Sequence, residues 1–412
     1  YGILLFLFNN IKSIFSNKRF NESDTKIIPV TLVVAMYNES AILEKKIQNT
    51  LAIDYPKEHL QVIFVDDGST DDSAVILQKH PFINLIQHSE RKGKATAIKT
   101  AMQQVQTPIV VFSDANSMLN EQCIIKMMRH YNDPSVGGVA GEKRISNRGS
   151  RSATGEAEGI YWQYESFLKK QSADFYTTVG AAGELFSIRS SLFQLNNDNV
   201  ITEDFLISMK VCLQGYRVAY EPKAYSTEAP SASIQEEAKR KIRIAAGAYQ
   251  SIGYLKGALN FFRYPLLSFQ YFSHRVLRWV FCPFLLPVLL VSNIFVAGTV
   301  NNDFYKFFLN VQVLFYLMTT IRWLLLRSGR KAGITTIPFY FVLNGLNEKI
   351  KPFFDDTHTD SIPHCILNGK NFVYLAGVSM PRIYLINNSM VEHDVNYIDL
   401  DEKEVEKWLE NK

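Results

Sequence analysis

Carboxylates follow apolar runs directly at several places in the first third of the chain. Asp66 and Asp67 come straight after the run Val62–Val65, and Asp114 closes the run that begins at Ile109. A carboxylate at the end of a buried strand is costly unless it is hydrogen-bonded, paired with a cation or bound to a ligand. These positions therefore predict side chains that accept hydrogen bonds from a bound molecule or hold a cation.

Two ways of holding a phosphate group are open. No GxGxxG follows the first apolar run, and the chain has no GxxxxGK[ST] motif. Gly93 and Lys94 precede a helical pattern and could offer backbone amides and an ammonium beside a helix N-terminus. Asp114 and Asn116 offer two oxygen ligands of the kind that Mg²⁺ prefers, with substrate phosphate oxygens completing the shell.

Strand and helix patterns alternate around these residues. Val30–Tyr37 is a continuous apolar run, typical of a parallel strand covered on both faces, and a helical pattern follows it. The order β-α-β-α-β-α-β predicts an α/β, Rossmann-like fold with a mostly parallel sheet and helices on both faces. Ligands of such sheets bind at the carboxyl ends of the strands. Tyr37, Asp67 and Asp114 are therefore expected in one crevice, although each alone could equally be a cap or turn residue.

Composition bounds the class of protein. The chain has 412 residues, enough for one large domain with additions or for two domains. With 44 basic and 40 acidic residues it lacks the basic excess of a nucleic-acid-binding protein, so no nucleic-acid partner is expected. Four scattered cysteines without metal-ligand spacing predict reduced thiols.

Apolar residues concentrate after the α/β region. Leu277–Val300 and Phe304–Leu326 are long enough and apolar enough to cross a bilayer, although a pair of buried core helices would look similar. Ile334–Leu346 is too short to span and predicts a re-entrant or interfacial piece. The first residues predict the end of a further spanning helix, whose beginning is missing from the sequence. Tyr254–Arg275 mixes basic and aromatic residues and predicts interfacial helices on the membrane, with membrane lipids as partners.

The charges beside these segments predict an orientation and a domain plan. Lys12, Lys18 and the stretch Arg327–Lys331 would lie on the cytoplasmic side by the positive-inside rule. We therefore expect a multi-pass protein of the inner (plasma) membrane with a cytoplasmic catalytic domain. The expected segments are 1–15 (truncated transmembrane helix), 27–250 (α/β domain), 254–275 (interfacial), 277–348 (transmembrane) and 353–412 (polar, of unassigned role).

A set of short motifs carries a family resemblance over roughly residues 28–330. The sequence resembles the family 2 glycosyltransferases, in particular the membrane-bound group of cellulose, hyaluronan and chitin synthases. This resemblance implies a GT-A type fold. The motifs are AMYNE (Ala35–Glu39), VDDGSTDD (Val65–Asp72), GKA (Gly93–Ala95), SDAN (Ser113–Asn116), GAAGELFSIR (Gly180–Arg189), ITEDF (Ile201–Phe205) and RKIR (Arg240–Arg243).

The resemblance implies roles on the donor side of the reaction. The opening motif with Ala35, Tyr37 and Glu39, together with Asp67, would contact the nucleobase and ribose, while Asp66 would support the turn or a neighbouring donor. Asp114 and Asn116 would hold Mg²⁺ or Mn²⁺ with the diphosphate. The basic residues Lys94, Arg240, Lys241 and Arg243 would add positive charge beside that diphosphate.

It also implies roles on the acceptor side. Asp204, with Glu203 beside it, would be the general base that takes the proton of an acceptor hydroxyl in an inverting transfer. Gly183 and Glu184 would belong to the acceptor-pocket loop. From the residues alone, the pair Glu203-Asp204 could simply cap a helix.

Two departures from the family pattern bear on the expected activity. Asn116 stands where a second carboxylate is usual, so metal binding should be weaker. Ile244 stands where polymerising members have the Trp of QxxRW, which puts processive synthesis in question. Trp162, with Tyr161 and Tyr164, could supply a sugar-stacking face instead, or could belong to an amphipathic core helix.

The resemblance therefore implies metal-dependent, inverting transfer from a nucleotide-diphospho sugar, a UDP-sugar in the first place. The acceptor would be a saccharide or a lipid-linked hydroxyl at the membrane, and the product a surface polysaccharide or glycolipid. Subunits of a polysaccharide export system are expected partners. The alternative is a catalytically inactive subunit that binds nucleotide sugar and regulates a synthase.

Overall fold

The computed structural model forms two compact units, Tyr1–Asn347 and Glu348–Lys412. It describes residues 1–15, 26–145, 153–229, 234–300 and 302–327 of the first unit, and 364–367, 372–376, 381–387 and 390–396 of the second.

The described strands of the first unit are β1 (Val30–Met36), β2 (Leu60–Asp66), β3 (Asn84–Gln87), β4 (Ile109–Asp114), β5 (Met118–Leu119), β6 (Val136–Ile145), β7 (Phe186–Arg189) and β8 (Arg217–Glu228). Its described α-helices are α1 (Gly2–Phe15), α2 (Ser40–Leu51), α3 (Ser73–Gln78), α4 (Lys94–Met102), α5 (Cys123–Met128), α6 (Ala153–Phe175), α7 (Glu203–Leu213), α8 (Ile234–Tyr254), α9 (Pro265–Tyr271), α10 (Cys282–Thr299) and α11 (Asp303–Arg327). A π-helical segment, Phe272–Phe281, joins α9 to α10.

The strands of the first unit form one eight-stranded sheet in the order β3-β2-β1-β4-β7-β6-β8-β5. β3, β2, β1 and β4 are parallel neighbours, as the alternating pattern predicted. β7 runs antiparallel to both β4 and β6, and β5 runs antiparallel to β8. The α/β prediction is confirmed, and the sheet is mixed rather than wholly parallel.

Helices cover both faces of this sheet, and the strands alternate between the two cores. Val33, Ile63 and Phe112 are buried on the face that also packs the apolar side of α7. Leu32 and Phe64 are buried on the opposite face, against α2 and α5. Successive side chains of a strand point to opposite faces, so continuous apolar runs are what a doubly covered sheet requires.

The parallel register brings the ends of the three central strands together. Met36 pairs with Asp66 across β1 and β2, and Ala35 pairs with Asp114 across β1 and β4. The polar residues that follow each strand therefore emerge at one edge of the sheet.

The last helices of the first unit are largely exposed and apolar. The stretch Asp303–Ile321 is, by length and composition, able to cross a membrane. A second apolar stretch is bent by 70° between Pro265–Phe281 and Phe284–Thr299, and could form one broken span. The predicted re-entrant piece Ile334–Leu346 lies outside the described residues.

The second unit contains a four-stranded antiparallel sheet in the order β12-β11-β10-β9. Its strands are β9 (His364–Leu367), β10 (Phe372–Ala376), β11 (Pro381–Asn387) and β12 (Met390–Asn396). The sheet lies within the stretch 353–412, for which the sequence predicted a polar character, and the residues after 396 lie outside the described part of the chain.

Candidate active site

Lys94 joins two of the predicted site residues at the carboxyl edge of the sheet. It is the first residue of α4, and its Nζ lies 2.5 Å from Asp114 Oδ1 and 2.8 Å from Glu203 Oε1. Asp114 ends β4, whereas Glu203 begins α7. One ammonium therefore connects the end of a central strand with the start of a helix far along the chain.

Gly183 marks the point where the predicted metal residue and the predicted base approach each other. A Cβ atom added to Gly183 would lie 2.8 Å from Lys94 Nζ, 3.4 Å from Asp204 Oδ2 and 3.6 Å from Asp114 Oδ1. Only a residue without a side chain leaves this space open. Asp114 and Asp204, 90 positions apart in the sequence, therefore border one cleft.

The surroundings of Asp204 raise the pKa of its carboxyl group towards neutral pH. Burial and the charge of Glu203 together raise the pKa of Asp204 to about 7, although the ammonium of Lys94 opposes both effects. A pKa near the working pH is what general-base chemistry requires. The position of Asp204 in the first turn of α7 also agrees with the simpler role of favouring the helix dipole.

Asp67 organises the loop that leads into α4. Its Oδ1 accepts hydrogen bonds from Lys92 N (2.9 Å) and pairs with His88 Nδ1 (3.0 Å), and its Oδ2 accepts one from Gly93 N (2.8 Å). Gly93 has φ of +90°, a conformation that favours glycine. Asp67 thus fixes the backbone directly before Lys94. Its predicted contact with a nucleobase stays a prediction.

Asp66 supports the turn after β2, as the sequence suggested. The side chain is buried, and its Oδ1 accepts a hydrogen bond from Ser69 N at 2.9 Å. Asn38 reaches the same turn from β1, because its Oδ1 accepts a hydrogen bond from Thr70 N at 2.8 Å. These bonds tie the ends of two neighbouring strands together.

The opening motif lines one side of the cleft. Ala35 lies beside Asp114 in the register and lines the cleft with Lys94 and Gly183. Burial raises the pKa of Glu39, and the charges of Asp114 and Asp71 add to that rise. Tyr37 is half-buried, with the Arg91 guanidinium 4.1 Å from its ring centroid.

Asp114 and Asn116 satisfy the chemistry of a site for a hard divalent cation. Asp114 is partly exposed and Asn116 is exposed, so both oxygens can be reached from solvent. Mg²⁺ commonly takes one or two protein oxygens and completes its shell with water and phosphate. Among the described residues no group of three or more His, Cys, Asp or Glu side chains is arranged to bind a metal.

Glu184 faces a buried cation. Burial alone would raise the pKa of Glu184, but its ion pair with Lys143 lowers it to about 2. Lys143 Nζ also lies 2.6 Å from Glu228 Oε2, and Glu228 Oε1 in turn accepts a hydrogen bond from Ser117 Oγ. The predicted acceptor loop is thus joined to the turn that carries Asp114 and Asn116.

Lys46 lies behind that turn, and the sequence analysis did not identify it. The residue is fully buried, and its Nζ donates to Ser113 Oγ at 2.8 Å and to Ser117 O at 2.5 Å. The helical spacing gave a signal, because Lys46 stands between Leu43 and Thr50 on the buried side of α2. Lys143 gave no such signal, because it stands between Glu142 and Arg144 in the charged part of β6.

The remaining predicted residues lie on α8 and α6. Arg240 is close enough to Lys143 for its charge to lower the pKa of that lysine, Lys241 is half-buried, and Arg243 is exposed. Trp162 packs near Lys143 Nζ, 5.0 Å from its ring centroid, while Tyr164 is largely exposed. The side chain of Tyr161 lies outside the described residues.

The arrangement combines a carboxyl group of near-neutral pKa, an ammonium and the turn that carries Asp114 and Asn116 around one glycine. A base and a positively charged region beside each other can deprotonate a hydroxyl and stabilise a leaving diphosphate. Group transfer from a phosphorylated donor to a hydroxyl acceptor is the chemistry that this geometry supports.

Comparison with known proteins supports the same kind of chemistry. Residues 31–195 match the family model described as glycosyl transferase family 2. The poly-beta-1,6-N-acetyl-D-glucosamine synthase of Staphylococcus aureus (strain COL) is 27% identical over 297 residues, which are 68% of this chain and 69% of that protein. The protein of the same name from Staphylococcus epidermidis is 25% identical over 270 residues, 61% of this chain and 64% of that protein.

A solved structure supplies the fold comparison. The mannosyltransferase of Pyrobaculum calidifontis, solved in complex with GDP-Man and Mn²⁺, superposes with a TM-score of 0.60 and 22% sequence identity. The match covers 82% of this chain and 93% of that one. At this identity the likeness concerns the fold, and it confirms the predicted GT-A type architecture.

Proposed function

We propose that this glycosyltransferase, whose residues 31–195 match the glycosyl transferase family 2 model, makes a polysaccharide by inverting transfer from a nucleotide-diphospho sugar. The observation that carries this proposal is the convergence of Lys94, Asp114 and Asp204 around Gly183. A donor diphosphate bound beside Asp114 would lie next to the carboxyl group that must accept a proton.

Asp204 acts as the general base. It takes the proton of an acceptor hydroxyl while that oxygen forms a bond to the anomeric carbon of the donor. The bond between the anomeric carbon and the diphosphate oxygen breaks, and its electron pair leaves with the nucleotide diphosphate. Attack from the face opposite the leaving group inverts the configuration. Glu203 supports this role because its negative charge raises the pKa of Asp204.

Lys94 serves the leaving group. Its ammonium lies between Asp114 and Glu203, at the point where the diphosphate would enter. On donor binding the phosphate oxygens take over part of its contacts, and its charge stabilises the negative charge that develops there. Arg240, Lys241 and Arg243 are proposed to add positive charge from α8.

Asp114 and Asn116 would hold Mg²⁺ or Mn²⁺, which would supply positive charge against the departing diphosphate. That the mannosyltransferase of similar fold was solved with Mn²⁺ and a nucleotide sugar favours this assignment. Ala35, Tyr37 and Glu39 are proposed to contact the nucleoside, with Asp67 keeping the neighbouring loop in place. Gly183 and Glu184 border the acceptor.

The names of the relatives favour a particular sugar and product. Both staphylococcal proteins are poly-N-acetylglucosamine synthases, so we propose an N-acetylhexosamine donor, UDP-linked, and a growing saccharide or lipid-linked chain as acceptor. The apolar stretch Asp303–Ile321 and the bent stretch before it favour a membrane protein. The positive charges of Lys12 and Arg327 beside the apolar segments favour a multi-pass plasma-membrane protein with its catalytic domain on the cytoplasmic side. Export subunits would be its partners.

The test is sugar transfer by membranes that contain the full chain. Radiolabelled UDP-N-acetylglucosamine, UDP-glucose and GDP-mannose are supplied with Mg²⁺, Mn²⁺ or a chelator, and the products are sized. The native chain should build polymer from UDP-N-acetylglucosamine, and only when metal is present. Asp204→Asn should abolish polymer synthesis. Asp54→Asn is the matched control, because Asp54 is exposed and precedes β2, at the edge where the strands begin. A native chain that binds nucleotide sugar but transfers none would favour a regulatory subunit.

A further inference from the structure

A buried series of charged and polar groups connects the two halves of the proposed site. Lys46 donates to Ser113 Oγ and to Ser117 O, on either side of Asp114 and Asn116. We call Ser113–Ser117 the donor turn. Because these two bonds bracket it, the buried ammonium fixes both ends of the segment that carries the proposed metal ligands.

The series continues from the donor turn to the loop beside the base. Ser117 Oγ donates to Glu228 Oε1, and Lys143 Nζ donates to Glu228 Oε2 at 2.6 Å. Lys143 also donates to Glu184 Oε1. We call Gly183–Glu184 the acceptor loop. The contacts form an unbroken path from Lys46 to the acceptor loop, drawn from α2, β6 and β8.

Burial makes this series costly if its only purpose is stability. Lys46 is fully buried, Lys143 is 4% exposed and Glu228 is 8% exposed. Moving charges out of water is expensive, and well-packed apolar residues of similar size often serve stability as well or better. Among the described residues Lys46 makes no direct ion pair, so its cost is only partly offset by its two hydrogen bonds.

The segments at the two ends of the series indicate what the buried charges are for. One end holds the turn beside Asp114, and the other holds the loop whose Gly183 lies beside Asp204. The proton acceptor and the donor-binding groups must keep a fixed separation, since transfer rates fall steeply when reacting groups are misplaced by about 1 Å. Polar contacts of defined direction fix such a separation better than apolar packing does.

We propose that Lys46, Glu228 and Lys143 are positioning residues that couple the donor turn to the acceptor loop, and so set the spacing between Asp114 and Asp204. This inference rests on the proposed transferase function. It assigns no direct contact with substrate to these three side chains. Their effect is transmitted through Ser113, Ser117 and Glu184.

Kinetics of single and double variants test the coupling. Lys46→Met and Lys143→Met should each lower kcat/KM by roughly 10- to 100-fold, the range found when supporting residues of a metal site are removed. The Lys46→Met/Lys143→Met double variant should lose far less than the product of the two single losses, because either change already breaks the path. Lys99→Met is the matched control, since Lys99 pairs with Asp198 at the surface.

Hydrogen exchange supplies a readout that does not depend on activity. Lys46→Met should raise amide exchange in peptides covering residues 180–186, a segment that Lys46 does not contact in the described structure. Lys143→Met should raise exchange at residues 113–117. Unchanged exchange at the distant segment, or fully multiplicative kinetic losses, would overturn the proposal.

The two possible failures are distinguishable. If the native chain transfers no sugar, the proposed function fails, while the exchange experiment still decides whether the two segments are coupled. If the native chain is active and the Met variants only lower the melting temperature, with kcat and KM unchanged at a temperature where all are folded, the series is structural and the proposal is wrong.

Discussion

The ammonium of Lys94 lies 2.5 Å from the carboxylate of Asp114, and Asp67 holds the residue before Lys94 through a hydrogen bond from Gly93 N to its Oδ2. The ammonium of Lys94 lies at the end of β4, but it is positioned by Asp67 at the end of β2, which is separated from β4 by β1. A diphosphate that binds at Asp114 meets this charge without rearrangement of the backbone that carries it. Preorganised charge of this kind is the main way in which enzymes stabilise developing negative charge.

Replacing Lys94 should therefore impair the chemical step. Lys94→Met is expected to lower kcat by roughly 100-fold or more, since removal of one preorganised stabilising group commonly costs that much. The pKa of Asp204 should also rise, because Lys94 is the charge that lowers it. Initial rates over a range of donor concentration and pH would measure both effects. Lys99→Met, five residues further along the chain and outside the cleft, should leave kcat unchanged.

The pH dependence of transfer should report the ionisation of Asp204. Burial and the charge of Glu203 raise the pKa of Asp204 to about 7. The base works only when deprotonated, so kcat/KM should fall about tenfold per pH unit below that value. Glu203→Gln removes a negative neighbour, which lowers the pKa and should move the acidic limb to lower pH. An acidic limb that stays in place in this variant would show that another group controls it.

The burial of Asp204 should also make the free energy of unfolding depend on pH. Because the pKa of Asp204 is raised in the folded state, the folded chain binds a proton that the unfolded chain has lost between about pH 4 and 7. The free energy of unfolding therefore falls as the pH rises through this window. Asp204→Asn, which cannot ionise, should melt at a higher temperature than the native chain at pH 8, and the difference should shrink at pH 5. Thermal melts of the two chains at the two pH values would measure this.

Gly183 should tolerate a methyl group structurally but not catalytically. A Cβ there would lie 2.8 Å from Lys94 Nζ, which is the mobile end of a long side chain and can move aside. Gly183→Ala is therefore expected to fold with little change in melting temperature, while kcat/KM falls about tenfold or more because a displacement of about 1 Å is expensive. Gly253→Ala, where a Cβ would meet nothing within 4 Å, is the control. Full activity of Gly183→Ala would argue against a catalytic position for Lys94.

Short-range patterns predicted the central part of this site, and long-range pairing decided the rest. The strand β1 and the carboxylates after β2 and β4 followed from apolar runs and from the rule that parallel strands end together. The antiparallel insertion of β7 between β4 and β6 depends on contacts between distant segments, which no local pattern specifies. It nevertheless positions Gly183 and Glu184, which directly precede it in the chain.

Buried lysines were missed for a related reason. Lysine is mostly found at protein surfaces, and charged residues are rarely buried unless paired. Lys46 and Lys143 therefore looked like surface residues in the sequence. The residues that contact these two lysines, Ser117, Glu184 and Glu228, lie 41 to 85 positions away from them in the sequence. Asp204 was identified only through the family resemblance, since capping explains its place in α7 equally well.

The donor turn offers the last prediction, on metal binding. Asn116 supplies an uncharged amide oxygen where a carboxylate is usual, so the turn carries less negative charge to attract a divalent cation. Asn116→Asp should lower the concentration of Mg²⁺ or Mn²⁺ that gives half-maximal transfer, because a second carboxylate strengthens binding of a hard cation. Asn116→Ala should raise that concentration, and titration of activity against each metal measures both shifts. If all three chains show the same metal dependence, Asn116 is not a ligand, and Asp114 holds the metal with substrate and water alone.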